Sequence, residues 1–349
     1  VIKSKLESLV EELYKRSEGR ERVKVLVEGL DGFLFGNSAA TAQAAPWLRD
    51  GLGMQRYMIL PIVALLPAAL ASVYFFGWRA VAIILICYLT GGLVELGFSY
   101  VRKEEISEGL LVTGILFPLT LPPTIPLWMA ALGMAVGVAI GKEIFGGTGH
   151  NIFNPALVGR AFLLVAFPTE MTTKWMIPLQ GGKGFFTYSP PPEAITQATP
   201  LMAMKFDSIP TPWTDLFWGR VSGSLGETSA FLLILGGLFL IATKGIDWRI
   251  PFSFIATVGL LSWVIFANPL FHLLAGGVLL GAFFMATDPV TSPIFCKGRW
   301  IFGVMIGILT VLIRAFTGYV EGVMFAILIG NMFTPLIDNL TMPKGSKIK

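Results

Sequence analysis

The sequence predicts an all-α integral membrane protein of about ten transmembrane helices, built as two inverted five-helix repeats with broken helices and an extracytoplasmic loop between them. Three observations predict it. Only 14% of the 349 residues are charged and 54% are apolar, whereas a soluble domain usually carries about 25% charge. The apolar residues fall in uncharged runs, and roughly 20 such residues cross a hydrocarbon core of about 30 Å. Finally, residues 145–162 (FGGTGHNIFNPALVGRAF) resemble residues 316–333 (FTGYVEGVMFAILIGNMF) at an offset of 171.

In chain order, residues 1–56 are charged and amphipathic and lack the apolar core of a signal peptide. Leu6, Leu9, Val10, Leu13 and Tyr14 fit one helical stripe there. Spans follow at 57–78 and at 80–101, the latter containing Glu95. Residues 109–141 are uncharged for 33 positions, too long for one crossing; Pro118, Pro122, Pro123 and Pro126 divide them into 109–121 and 126–141. A weaker fifth span, 152–168, contains Arg160. Residues 57–168 thus form the first repeat, and the mixed segment 169–226 a loop outside the bilayer. The second repeat, 227–338, begins with span 227–243. Residues 250–287, uncharged for 38 positions, split into two spans at Asn268-Pro269, and the last spans are 300–317 and 319–337. Residues 339–349 form a tail.

Orientation follows from Lys/Arg asymmetry. With both termini cytoplasmic, 19 basic residues fall inside and 5 outside, so the long loop is extracytoplasmic. This distribution explains the net charge of +4 without a basic stripe for nucleic acid. The composition excludes a cytosolic globular enzyme and a disordered chain. Two cysteines, Cys87 and Cys296, exclude a disulfide scaffold and an iron–sulfur cluster held by this chain alone.

The duplication rests on identities at Phe145/Phe316, Gly147/Gly318, Leu157/Leu328, Gly159/Gly330 and Phe162/Phe333. Five spans per half is an odd number, so the halves must be inverted. Inverted repeats with Pro-broken helices place sites near the bilayer midplane.

Three constellations could carry chemistry. Residues 141–156 are rich in glycine, with Gly146, Gly147 and Asn154 able to bring backbone close to a ligand; a tight helix–helix contact explains them equally well. Residues 193–201 (EAITQATPL) form a polar turn before an apolar step. The third set is the carboxylates in or near spans: Glu95, Glu108, Glu227, Asp288, Glu321 and Asp338, with Arg160 and Arg314 as cationic counterparts. A carboxylate in hydrocarbon costs several kcal/mol, so it faces a cavity, an ion or a partner. The lone histidines, His150 and His272, do not by themselves make a haem site.

Residues 46–56, 102–126, 141–168, 284–293 (FMATDPVTSP) and 321–338 resemble the family that unites the RnfD component of the Rnf complex with the NqrB component of the sodium-pumping NADH:quinone reductase. The resemblance covers nearly the whole chain from about residue 44. It implies a membrane component of a redox pump in the cell (inner) membrane. It also implies FMN joined through a phosphoester to a threonine in a motif close to Asp-x-x-Ser/Thr-Gly-Ala-Thr. The matching stretch, Glu193–Thr199, makes Thr199 the attachment residue, with Thr196 and Ala198 beside it; Glu193 stands for the Asp and Gln197 for the Gly. The Thr-Gln-Ala-Thr-Pro-Leu ending is closer to RnfD. A riboflavin or second flavin is a further implication, and Gly146, Gly147, Asn154 and Arg160 are further cofactor-binding candidates, facing an anion or a flavin ring.

The reading that follows is a protein relaying electrons through FMN on Thr199 and lining a Na+ or H+ path with Glu108, Asp288, Glu321 and Asp338. The chain holds no complete active site, no protein-bound metal, no NAD fingerprint and no iron–sulfur cysteine set. Electrons would therefore enter and leave through other subunits, and the resemblance implies iron–sulfur and NAD-binding subunits, a second covalent-FMN subunit and a flavin transferase for maturation as partners, besides the bilayer. The NqrB component of the quinone reductase, an inverted-repeat secondary transporter without flavin, and a membrane scaffold are the rival readings.

Overall fold

A computed structural model describes residues 54–103, 109–179, 198–227 and 229–343. The N-terminal stripe, Glu108 and Thr196 lie outside the described residues. The described chain is helical. Its first half contains α1 (Met54–Phe76), α2 (Trp78–Arg102), α3 (Gly109–Leu119), α4 (Leu127–Gly141) and α5 (Pro155–Ala166). Short helices α6 (Pro168–Thr172), α7 (Pro200–Phe206) and α8 (Trp213–Trp218) stand in the long connection. The second half contains α9 (Ala230–Ala242), α10 (Arg249–Phe266), α11 (Pro269–Leu274), α12 (Val278–Leu280, continued by a π-turn Gly281–Met285), α13 (Cys296–Phe316) and α14 (Val323–Thr341).

Six of the helices are long and apolar enough to cross a membrane: α1, α2, α4 with the turn to Phe145, α10, α13 and α14. Helices α3, α5 and α9 are apolar but shorter. The hydrophobicity that drives them into a bilayer is spread round each helix, and burial picks the face. On α2, Ile83, Cys87, Gly91, Glu95 and Ser99 recur every fourth residue on the buried face. Leu85, Leu89 and Leu93 recur at the same interval on the opposite face, more than half exposed. This is the pattern of a span with protein on one side and lipid on the other.

Within the first half, α2 packs on α3 and α4, and α4 on α5. Within the second, α10 packs on α11 and α13, and α13 on α14. The halves meet where α1 touches α9 and where α5 touches α14. Lipid offers no hydrophobic drive between helices, so small residues set these contacts. On α4, Gly133, Gly137 and Gly141 face α5; a Cβ on Gly137 would lie 2.7 Å from the Pro155 carbonyl oxygen and 3.2 Å from the Gly159 Cα. Gly307 on α13 plays the same part against α10, at the Phe254 carbonyl (3.2 Å).

The sequence places breaks near Pro122 and at Asn268-Pro269. The first holds: α3 runs through Pro118, ends at Leu119, and α4 begins after Pro126. In the second half the piece after Pro269 is broken again, at Ala275–Gly277, where Gly276 and Gly277 adopt φ of 69° and 71°. That left-handed pair suits glycine alone without strain. It divides what the hydropathy alone reads as one span into α11 and α12.

Replacing Gly137 with Leu forces α4 and α5 apart, and we expect a loss of about 1–3 kcal/mol, the usual cost of overpacking. Thermal unfolding of the detergent-solubilised protein, followed by size-exclusion fluorescence, measures it. A midpoint equal to the parent's would disprove the contact.

Candidate functional site

Each broken helix leaves carbonyl groups without helical partners, and in hydrocarbon every one must be paired. Arginines do most of this. Arg79, the single charge between Arg56 and Glu95, donates from the start of α2 to the Pro123 (3.1 Å), Thr124 (3.3 Å) and Ile125 (2.7 Å) carbonyls. The end of α3 is completed by the 225–226 turn: Gly226 N–H donates to the Leu119 carbonyl (2.7 Å) and Leu225 N–H to that of Leu121 (3.0 Å). In the second half the Arg314 guanidinium, buried at the end of α13, donates to the carbonyls of His272 (2.7 Å), Ala275 (3.0 Å) and Gly276 (2.9 Å). At the far end of that broken unit Arg299 donates to the Pro293 carbonyl (3.1 Å), while Thr334 donates to that of Thr291 (2.9 Å).

Between the halves lies a cavity of about 70 Å³. Thr113, Lys142, Asn151 and Asn154 reach it from the first half, Thr287 and Asp288 from the second. The volume admits a few waters. Asp288 accepts from the Thr291 hydroxyl (3.1 Å) and more distantly from Val290 N–H (3.5 Å), so its carboxylate also shapes the 288–291 turn. Asn154 caps α5, accepting from Ala156 N–H (3.0 Å). Its own N–H is 3.3 Å from the Asn331 side-chain oxygen when that amide also donates to the Ile327 carbonyl, a polar tie between α5 and α14.

Two buried charge clusters flank this centre. At one end Lys142 pairs with Glu95 and lies 3.6 Å from Glu143, which Arg102 also holds (3.3 Å). At the other, Arg160 on α5 pairs with Glu227 before α9 (3.2 Å) and with Glu321 before α14. Arg160 and Glu227 side chains are 9% and 6% exposed and Glu321 is 22% exposed. One guanidinium from the first half therefore holds two carboxylates of the second.

Thr199 stands at the N-cap of α7, 7% exposed, its hydroxyl oxygen accepting from Met202 N–H at 3.3 Å. Leu201 packs with Phe271 and Ala275, and Gly276 leaves the room it needs. Lys205 crosses to the end of α13 and donates to the carbonyls of Arg314 (2.8 Å), Thr317 (2.5 Å) and Tyr319 (3.2 Å). Burial draws its ammonium pKa below the ordinary lysine value. The Thr199 helix is thus docked on the same α13 end that carries Arg314.

The structure brings some sequence-derived residues together and separates others. Arg160 and Glu321 meet, with Glu227 completing the set. Asp288 and Asn154 share the cavity. Asp338 stands apart from it, accepting from Ile294 N–H (3.0 Å). Gly146 and Gly147 lie in the turn after α4 with φ of 120° and 87°, and their N–H groups donate to the Glu143 and Lys142 carbonyls. Ala198 is exposed, its carbonyl accepting from the Ser222 hydroxyl (2.7 Å). His150 is exposed, while His272 is buried with its ring stacked on Phe266. Arg79 and Lys205 escaped sequence reasoning as functional supports. The isolation of Arg79 in an apolar stretch was the available signal; Lys205 gave none, because its partners are backbone atoms more than 100 residues away.

A family model described as NQR2, RnfD, RnfE family matches residues 41–347. The chain belongs to this family. Its relatives include the RnfD component of the proton-translocating ferredoxin:NAD(+) oxidoreductase complex of Clostridium ljungdahlii, 40% identical over 87% of this chain and 95% of the relative. The NqrB component of the Na(+)-translocating NADH-quinone reductase of Yersinia pestis is 42% identical over 75% of this chain and 66% of the relative. The corresponding protein of Azotobacter vinelandii is 34% identical over 97% and 96%. The two charge clusters and the Thr199 helix all fall within the matched region.

Arg160→Gln leaves the buried Glu227 carboxylate facing the partly exposed one of Glu321, and we expect a loss of up to about 3–5 kcal/mol, the cost of breaking a fully buried pair. Adding Glu227→Gln and Glu321→Gln to it should recover much of the loss in thermal unfolding; a triple variant no better than the single one would argue against the ion lock.

Asp247, in the turn before α10, supplies a pH test. Burial pushes its pKa up, but Arg249 N–H (2.9 Å) and the Arg299 and Arg249 guanidiniums outweigh this and hold it below the ordinary aspartate value. A depressed folded pKa contributes stability above the unfolded value, about 3.9, which disappears as pH falls through the folded one. Asp247→Asn should therefore melt below the parent near neutral pH, with the gap closing on acidification below about pH 4.

Proposed function

We propose that this chain is the RnfD-type membrane component of an Rnf-type redox-driven ion pump, coupling electron transfer between ferredoxin and NAD to translocation of Na+ or H+. The observation that carries the reading is the cavity between the two halves, mostly apolar in its walls but reached by Asp288 and Lys142 and set between broken helices, in a chain whose relatives carry redox-pump names. At near-full coverage of the relative the Clostridium protein is 40% identical and the Azotobacter quinone-reductase component 34%, which favours the Rnf side over the side that the Yersinia relative also represents. The 42% identity to the Yersinia relative keeps the quinone-reductase component as a second reading. A purified complex that reduces quinone from NADH, and does not turn over ferredoxin, would select that second reading.

The proposed topology has ten spans in two inverted halves, α1–α5 and α9–α14, with both termini cytoplasmic and α6–α8 outside. In its support, α2 and α10 pack in corresponding ways, and Gly133 and Gly137 on α4 recur as Gly303 and Gly307 on α13, within one residue of the 171-residue offset. Other Rnf subunits supply the iron–sulfur, NAD and second FMN centres, and a flavin transferase matures this one.

Thr199 fits a phosphoester link to FMN. Its oxygen is used as an acceptor at the N-cap, a role that an ester oxygen keeps. Among the described residues its hydroxyl proton, which the ester replaces, has no acceptor. When bound, FMN supplies one- and two-electron transfer. The protein's part is to hold that centre still: Leu201 seats α7 against α11, and the Lys205 ammonium clamps it to the α13 end. In the cavity, Asp288 offers a hard oxygen site for a cation or a proton acceptor, with Thr287 and Thr113 hydroxyls nearby. Arg160 closes the path on the Glu227–Glu321 side. Glu108 and Asp338 extend the proposed path toward the cytoplasm, and Gly146, Gly147 and Asn154 remain the proposed neighbours of a second flavin.

Two experiments test this. In-gel fluorescence of the denatured protein, expressed with its flavin transferase, should show a band that vanishes in Thr199→Ala; a dark parent band would instead support the transporter or scaffold readings. Asp288→Asn should keep that band and lower redox-driven ion uptake into vesicles at least about tenfold, as expected for loss of a group in the path. Unchanged uptake would remove Asp288 from the path.

A further inference from the structure

Beside the cavity, at the start of α10 and α13, a separate open cleft of about 680 Å³ is lined by Lys244, Asp247, Trp248, Ser292, Ile294 and Arg299, among others. Asp247 is shared by Arg249 and Arg299. The cleft lining thus holds two cations, Lys244 and Arg299, against the one carboxylate of Asp247, which Arg249 also pairs from outside it. Lys244 is exposed and sits in a turn with φ of 57°. A second feature adjoins. An apolar groove of about 530 Å³ runs along α13 between Trp300, Ile301, Val304, Met305, Ile308 and Leu309, about 13 Å of helix. Trp248 at the cleft and Trp300 at the head of the groove meet edge to face at 5.7 Å, and Phe252 packs on both (5.9 and 5.8 Å).

We propose that cleft and groove together bind one anionic phospholipid, its headgroup against Lys244 and Arg299 and one acyl chain along α13. Four features fit that occupant. The excess positive charge matches a phosphate headgroup, and basic pockets between spans on the cytoplasmic side are suited to one. The groove is apolar and meets the cleft at the Trp248–Trp300 contact. Paired tryptophans mark the depth at which headgroup gives way to chain. The groove also lies on a helix long enough to cross the bilayer, where a chain is always at hand. The cleft shares Tyr57, Gly245, Ile246, Thr287 and Pro289 with the inter-half cavity, so a headgroup seated there covers the cavity's Thr287–Pro289 end. The inference rests on α10 and α13 crossing the membrane, and is independent of the flavin on Thr199.

The test is native mass spectrometry of the purified complex released from nanodiscs of dioleoylphosphatidylglycerol mixed with dioleoylphosphatidylcholine. The parent should retain one phosphatidylglycerol in preference to phosphatidylcholine. Lys244→Asn keeps a residue that tolerates the left-handed turn and removes the charge. It should lower phosphatidylglycerol retention about fivefold, the weight of one basic residue near a membrane surface, and leave phosphatidylcholine unchanged. Val304→Trp fills the groove and should lower retention of both lipids; it carries the test if Lys244→Asn fails to assemble. Millimolar inorganic phosphate should not displace the lipid. Equal retention of both lipids by the parent would overturn the proposal. So would parental retention in both variants, displacement by phosphate, or a photocrosslinker at position 301 that captures only another polypeptide. Loss of the flavin band in Thr199→Ala with lipid retention intact would separate this site from the redox reading.

Discussion

The obligation to pair every backbone polar group in a medium without water governs this structure. An unbroken helix meets it alone. The chain breaks its helices after Leu119, at Ala275–Gly277 and at the 288–293 turn, and each break is answered by a guanidinium, joined by the 225–226 turn at the first and by the Thr334 hydroxyl at the third. Arg79 gathers the carbonyls of 123–125, Arg314 those of His272, Ala275 and Gly276, and Arg299 that of Pro293. An arginine is suited to this because its planar fork presents several donors in fixed directions. The irregular backbone that results borders the cavity between the halves and brings Thr287 and Asp288 to it; lipid would not tolerate such backbone exposed to it.

The second organising feature is the way the halves are held. Apolar contacts between helices in lipid have little to gain from hydrophobicity, so polar ties acquire more importance. Arg160 joins the first half to Glu227 and Glu321 in the second, and Asn331 meets the N-cap of α5. Both ties involve α5, the shortest of the helices at the interface between the halves. The Thr199 helix is fastened to the α13 end by Lys205, immediately beside Arg314, and to α11 by Leu201. A displacement of α7 therefore acts on the helix end from which Arg314 holds the second break, and Glu321 follows a few residues later in the chain.

Much of the fold was legible in the residues. Uncharged runs located the apolar helices to within a few positions, because the cost of a charge in hydrocarbon is large and local. Pro122 to Pro126 marked the first break, since proline lacks the donor a helix needs. The second break was only half visible: Asn268-Pro269 announced one interruption, but the Gly276–Gly277 turn depends on Arg314, distant in sequence, to complete its carbonyls. For the site, isolated carboxylates and arginines in apolar stretches were conspicuous, and Arg160, Glu227 and Glu321 were all visible as anomalies. That they pair with one another was not, because a charge in a span announces a need for a partner without naming it.

What the sequence determined by itself is the solvent of this protein, the number and rough bounds of its apolar segments, its family, and the identity of the few polar residues that lipid cannot tolerate unpaired. Each follows from composition and short-range pattern, where the free energy of a single residue in hydrocarbon decides. The tertiary structure alone decided which charges meet, which carbonyls the arginines take, and that Asp288 and Asn154 face one cavity while Asp338 is spent on a turn. Those outcomes depend on how glycine-lined helices approach one another, a property of pairs of surfaces that no stretch of chain contains.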